Sequence, residues 1–126
     1  MTAFTAHFSY ADTQGNSFKA GLSDDEFDTS RYVLFERLKR PDEQDKKFGF
    51  EAPYLEIDDQ GKSGYALVER VELAPTNLKI WFSEQGRRSL QATDVLQVNL
   101  GSSLNVESFK SAMSEILGDR FIVVAN

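Results

Sequence analysis

The sequence predicts an α+β domain, a mostly antiparallel sheet of about seven to eight strands with one amphipathic helix packed on one face. Three observations predict it. Apolar and polar residues alternate with a period of two through most of the chain, polar turns marked by glycine separate the alternating runs, and one late segment repeats its apolar residues every three or four positions. With 126 residues and no repeat, low-complexity tract or Pro/Gly-rich linker, positions 1–126 read as a single domain.

Residues 2–10 set Phe4, Ala6, Phe8 and Tyr10 on one face and Thr5, His7 and Ser9 on the other, the pattern of a half-buried antiparallel strand. The polar turn ADTQGN follows, and Phe18, Ala20 and Leu22 resume the alternation. Gly15 and Asn16 tolerate the positive φ of a hairpin loop, so the two strands are expected to pair. Residues 31–38 carry apolar side chains on both faces, Tyr32, Leu34 and Leu38 against Val33 and Phe35, which predicts a central strand covered on each side. A short helix is expected over 41–49: proline suits the first position, Asp42 and Glu43 the positive end of the helix dipole, Lys46 and Lys47 the negative end, and Gly49 the stop.

Residues 54–57, 65–73 and 78–83 read as three strands of a meander, joined through the polar connections DDQGKSG and APTN. Leu96, Val98 and Leu100 add another alternating set. The amphipathic helix is expected over 105–117, with Asn105 as N-cap, Phe109, Ala112, Met113, Ile116 and Leu117 on one face, and Gly118 just past its end. Residues 121–124, apolar at every position, close the chain as a strand buried on both faces.

The absence of cysteine removes disulfide frameworks and thiolate metal sites and fits a reducing compartment. The opening MTAFTAHFSY lacks the basic start and continuous apolar run of a signal peptide, and no window approaches the roughly 18 apolar residues of a membrane span. A cytoplasmic protein without membrane association is expected. A formal net charge of −6 disfavours phosphate backbones and anionic lipid, so a charge-guided partner is a basic protein rather than nucleic acid. The charge is uneven: between Asp24 and Asp59 twelve acids meet six bases, and the rest of the chain is balanced.

Catalytic signatures are sparse. His7, the sole histidine, has no cysteine or second histidine to complete a metal or triad set and reads as a surface residue. Gly61-Lys62-Ser63-Gly64 lacks the spacing of a nucleophile elbow, and IDDQGKSG misses the calcium-loop pattern because its glycine arrives early and Lys62 intrudes. No metal or cofactor is predicted. Carboxylates remain: Glu56 with Asp58 or Asp59 would supply the acid and nucleophile of a small hydrolase, although acids beside a hairpin turn equally serve as solvated turn formers. Trp81 points away from the face of Leu78, Ile80 and Phe82 and is expected in the core, with a surface binding anchor as the alternative.

The stretch GLSDDEFDTSRYVLFERL crowds Asp24, Asp25, Glu26 and Asp28 into five positions before a strand, against their mutual repulsion. Two accounts stand side by side. In one, these acids solubilise a loop and Asp24 or Asp28 caps a turn. In the other, the loops before and after the central strand present Asp24, Asp25, Glu26, Asp28, Asp42, Glu43 and Asp45 on one rim. Asp58 and Asp59 join them and Phe27 serves as apolar anchor, so that the field captures a basic protein.

The succession DDEFDTSRYVLFERL, then DEQD followed by Gly49, then YLEIDDQGKSGY and a strand ending at Leu73, resembles the bacterial polymorphic-toxin immunity proteins, in particular the group called immunity protein ten. The resemblance runs over about residues 4–117. It implies a small, non-catalytic cytoplasmic antidote that binds and blocks the C-terminal toxin domain of its own neighbouring locus, of the contact-dependent or secreted kind. Many such toxins are nucleases with basic grooves, which a carboxylate-bearing inhibitor fits as a phosphate-like decoy. A non-catalytic adaptor domain would share the surface but stand without a toxin neighbour.

Overall fold

A computed structural model describes residues 2–92 and 95–125. Its elements run β1 (Thr2–Ala6), β2 (Phe8–Asp12), β3 (Ser17–Ser23), β4 (Tyr32–Leu38), α1 (Glu43–Lys47), β5 (Tyr54–Ile57), β6 (Asp59–Tyr65) and β7 (Val68–Leu73). Then follow β8 (Asn77–Phe82), α2 (Glu84–Leu90), β9 (Val95–Leu100), α3 (Glu107–Leu117) and β10 (Phe121–Val123). The strands form two five-stranded sheets, a first in the order β1-β9-β8-β7-β10 and a second in the order β2-β3-β4-β5-β6. The second is antiparallel throughout; in the first, β1 lies parallel to β9 and β10 parallel to β7. The α+β class holds, with ten described strands in two sheets where about seven to eight in one were expected.

The difference comes from two places where the chain leaves one sheet for the other inside a run that reads as a single strand. Residues 2–10 divide at His7: Ala6 ends the strand beside β9, while the His7 amide already donates to the Ser23 carbonyl (2.9 Å) in the second sheet. Gly101 permits this crossing, because a Cβ there would stand 2.7 Å from His7 Nδ1 and 3.0 Å from the Ala6 oxygen. Residues 65–73 divide at Ala66, whose φ of 60° turns the chain out of β6 and into β7. Ser83 pins this second crossing: its hydroxyl donates to the Ala66 carbonyl (2.8 Å) and accepts from the Gly86 amide (3.0 Å), capping α2. Alternation reports a buried face but not which sheet provides it.

One core serves both sheets. Phe4, Ala6, Val71, Leu78, Ile80 and Val98 fill the inner face of the first, and Ala20, Leu22, Val33, Phe35 and Leu55 that of the second. Helix α3 contributes Phe109, Ala112, Met113, Ile116 and Leu117, all buried, and packs on β2, β3 and β4. Arg37 on β4 donates to the Ile116 carbonyl (3.1 Å), placing a cation at the negative end of that helix. The N-cap falls at Val106, one residue later than expected, yet the Asn105 side chain still accepts from the Glu107 amide (3.0 Å).

Other expectations shift. Helix α1 forms, shorter than its expected span, through a reciprocal capping box in which the Asp45 amide donates to Asp42 (2.7 Å) and the Asp42 amide to Asp45 (2.9 Å). Helix α2 was not expected, since EQGRRSL holds one large apolar residue and an internal glycine. The connection DDQGKSG is mostly strand: the turn tightens onto Asp58 (φ 66°), and β6 begins at Asp59. Trp81 is not core; it is half-buried on the outer face of the first sheet with the Arg70 guanidinium 4.1 Å above its ring. Nor is β10 buried on both faces: as an edge strand it leaves Ile122 40% and Val123 54% exposed. No described helix is long and apolar enough to cross a membrane.

A Cβ on Gly86 would overlap the Leu67 carbonyl oxygen, a backbone atom that cannot swing aside. Alanine gains about 1 kcal/mol of helix propensity, but overpacking costs up to about 3 kcal/mol, so Gly86→Ala is expected to lose about 2 kcal/mol net in urea unfolding. Gly15→Ala, with open space around the added carbon, should stay within about 0.5 kcal/mol.

Candidate partner-binding surface

The acidic loop joins β3 to β4 and is closed at its base by the Asp24 amide donating to the Arg31 carbonyl (3.0 Å). Asp24 Oδ1 accepts from the Ser30 amide (3.0 Å), and Asp25 Oδ2 accepts from the amides of Phe27 (3.1 Å) and Asp28 (2.8 Å). The Asp25 carbonyl in turn takes the hydroxyls of Ser23 and Thr29. Desolvation pushes the Asp24 carboxyl up, but hydrogen bonds from the amides of Arg31, Ser30, Asp24 and Asp25 outweigh it and hold the pKa below 3.8. The first two acids therefore shape the loop, and their bonds to backbone amides offset the crowding of charge. Glu26 and Asp28 make no ion pair or side-chain hydrogen bond to a described residue, and Phe27 between them is 90% exposed.

Asp58 ties the β5–β6 turn to the same end of the sheet. Its Oδ2 meets Arg31 Nε at 2.9 Å, its Oδ1 accepts from the Tyr32 amide (3.1 Å), and its own amide donates to the Tyr32 carbonyl (3.1 Å). Asp59 Oδ1 accepts from the Gly61 amide (2.7 Å). Asp24, Asp25, Glu26, Asp28, Asp58 and Asp59 thus gather at one end of the second sheet. Asp42, Glu43 and Asp45 do not join them on one rim, because the connections before and after a strand leave from its opposite ends. The seven residues of β4 separate the two groups by about 20 Å.

Between the acidic end and the α1 end, where Lys39, Arg40, Lys46 and Lys47 offset Asp42, Glu43 and Asp45, lies a surface that sequence reasoning missed. Pairing of Leu34 with Glu56 and of Tyr54 with Tyr65 puts Tyr32, Leu34, Tyr54, Glu56 and Tyr65 together on the outer face, opposite the core residues Val33, Phe35 and Leu55. Glu56, only 8% exposed, accepts from the Tyr54 hydroxyl through Oε1 (2.6 Å) and from the Tyr32 hydroxyl through Oε2. From Tyr54 the aromatic row continues to Tyr65 (5.3 Å between centroids), stacked Phe50 (4.7 Å) and Phe48 (5.8 Å) beside α1. At the other edge, Phe8 and Tyr10 on β2 and Tyr32 and Leu34 on β4 stand across Gly21, lining an open groove of about 180 Å³. The apolar residues on both sides of β4 were legible, but strand register, which alone brings Tyr54, Glu56 and Tyr65 beside them, was not.

Glu56 and Asp58 address different groups, tyrosine hydroxyls for one and Arg31 with the Tyr32 amide for the other, so these two do not face a shared substrate site; Asp59, whose charge reaches the Tyr32 phenol, turns its Oδ1 to the Gly61 amide. Among the described residues no group of three His, Cys, Asp or Glu side chains stands close enough to hold a metal ion.

Desolvation, then the bond to Glu56, raises the phenols of Tyr32 and Tyr54 above 10.0; desolvation, then the charges of Glu36 and Asp45, raises Tyr65. Because folding favours the protonated phenol, the stabilisation is complete below 10.0 and is lost as pH rises through the folded-state values. Absorbance titration should therefore find these three tyrosines ionising late, with unfolding promoted on the alkaline side. Glu56→Gln should bring Tyr32 and Tyr54 down while leaving Tyr65 in place.

No curated protein and no solved structure matches the chain. A family model described as Immunity protein 10 matches residues 3–109, a span that takes in the acidic loop, the whole second sheet and the start of α3. On that match, which covers well over half of its length, the chain belongs to the Immunity protein 10 family.

Proposed function

We propose that this protein binds the C-terminal toxin domain encoded beside it and neutralises that domain in the cytoplasm, acting as a stoichiometric inhibitor without catalysis of its own. Membership of an immunity-protein family supports the antitoxin role. The observation that carries the binding mode is the loop of residues 24–31, where Phe27 stands exposed between Glu26 and Asp28 on a backbone fixed by Asp24 and Asp25. A rigid loop with an apolar tip and flanking charge loses little conformational freedom on binding, which favours it as an anchor. Asp59 extends its negative field beside Asp58, which is paired with Arg31, while at the opposite end of the sheet Asp42, Glu43 and Asp45 share the edge with Lys39, Arg40, Lys46 and Lys47. A toxin whose active site must hold phosphates, a nuclease above all, presents the basic groove that such a field steers toward. The same field repels nucleic acid and anionic membrane, so the partner is protein.

The test is co-expression with the neighbouring toxin gene followed by binding kinetics on the purified pair. The wild-type protein should protect cells and form a one-to-one complex. Glu26→Lys with Asp28→Lys, which spares the carboxylates that shape the loop, should slow association about tenfold at low salt and flatten its salt dependence. Phe27→Ala should instead raise the dissociation rate by about tenfold or more, as loss of an anchor does. Absence of both protection and binding would overturn the reading.

A further inference from the structure

On the outer face of the second sheet, β3 contributes small residues where its neighbours contribute large ones. Ser23 and Gly21 form a floor, Phe8 and Tyr10 a wall on β2, and Tyr32 and Leu34 the facing wall on β4. The floor cannot be raised cheaply, since a Cβ on Gly21 would stand 3.1 Å from the Val33 carbonyl and 3.5 Å from Leu34 Cδ1. The groove opens to solvent along a wall that includes Tyr10, 42% exposed. Thr29 lines it at the end nearest the acidic loop, and both Thr29 and Ser23 donate to the Asp25 carbonyl, which fixes the loop against that end.

Apolar walls that end at Thr29 beside the acidic loop suit a long apolar stem that carries a cation. We propose that this groove receives an arginine or lysine of the toxin, its stem lying on Gly21 between Tyr10 and Leu34 and its charged head directed toward the acidic loop. The charges of the face agree. Asp12, Glu36 and Glu56 share it with the single base Lys19, which lies toward the far end of β3 between Asp12 and Glu36 on the flanking strands. Phenols that donate to Glu56 are also richer in electrons, which strengthens their attraction for a guanidinium over the ring. The size agrees too. Five strands about 4.8 Å apart and about 20 Å long give a face of about 400 Å², and the loops at both ends bring it toward the roughly 800 Å² per partner of a stable interface. The aromatic centre, with the acidic loop at one end and the mixed charges around α1 at the other, then has the anatomy of an interface, apolar in the middle and charged at its border.

This docking mode rests on the proposed antitoxin role, and its test separates the two. The neighbouring toxin domain is titrated against the wild-type protein, Tyr10→Ala, Leu34→Ala, and Trp81→Ala on the outer face of the other sheet, each variant confirmed folded by its melting curve. A loss of about tenfold or more for Tyr10→Ala and Leu34→Ala with none for Trp81→Ala supports the groove. Unchanged binding by Tyr10→Ala and Leu34→Ala overturns it and leaves the antitoxin role standing. If the wild-type protein does not bind the toxin, the antitoxin role fails, and a hexa-arginine peptide decides the groove by amide chemical shifts. Movement at Gly21, Thr29 and Leu34 that is absent with hexa-glutamate sustains a cation site, and no movement there removes it.

Discussion

A sheet has two faces, and a single helix of eleven residues, about 16 Å long, covers only one of them. Helix α3 and the inner face of the first sheet occupy the inner side of β2, β3 and β4, where Ala20, Leu22, Val33 and Phe35 are sealed from solvent. The outer side receives no such layer. Its tyrosines, Leu34 and the phenylalanines at its edges are therefore not accounted for by the folding of the core, and that surplus of apolar surface is what separates a recognition face from an ordinary solvated one. The outer face of the first sheet is more polar: there Arg70 covers Trp81, and Glu72, Lys79, Gln97 and Asn99 stand beside Val95 and the edge residue Ile122.

Glu56 holds the outer face of the second sheet in shape. A carboxylate withdrawn from water loses several kcal/mol of hydration, and two hydrogen bonds to a charged group return about 1.5–3 kcal/mol each, so the arrangement roughly balances without a nearby cation. Its gain is geometric. Tyr32 and Tyr54 come from different strands, and their shared acceptor fixes both rings over the sheet before any partner arrives. Asp24, Asp25 and Asp58 do the same at the sheet's end, turning their oxygens onto backbone amides and Arg31 so that the loop holds one shape. At this end of the sheet Asp24, Asp25 and Asp58 build the surface, whereas Glu26 and Asp28 make no side-chain hydrogen bond or ion pair to a described residue.

Much of this was legible in the residues and some could not be. The helix at 107–117 and the capped turn at 43–47 follow from local spacing and end residues, so they were readable to within a few positions. The two crossings at His7 and Ala66 were not: at His7 the alternation continues while the partner strand changes, and at Ala66 the apolar run 65–68 hides the turn. Helix α2 escaped for a related reason: Ser83 and the packing of Gly86 on Leu67 hold it, and both are tertiary facts. At the candidate site the acidic loop and Phe27 were found by composition. The groove over Gly21 and the Tyr32–Glu56–Tyr54 bridge exist only once β2 to β6 are set in register.

A toxin that damages its own cell requires an antidote that arrives quickly and leaves slowly, and these demands call on different physics. The proposed role assigns encounter to the charge of the acidic loop and residence to the aromatic face. The most direct measurement is hydrogen–deuterium exchange of the protein alone and in complex with the neighbouring toxin domain. The account expects slowed exchange in the 24–31 loop and along edge strand β2, with the first sheet and β10 unchanged. Protection confined to β10 and the first sheet, leaving the second sheet as in the free protein, would contradict it.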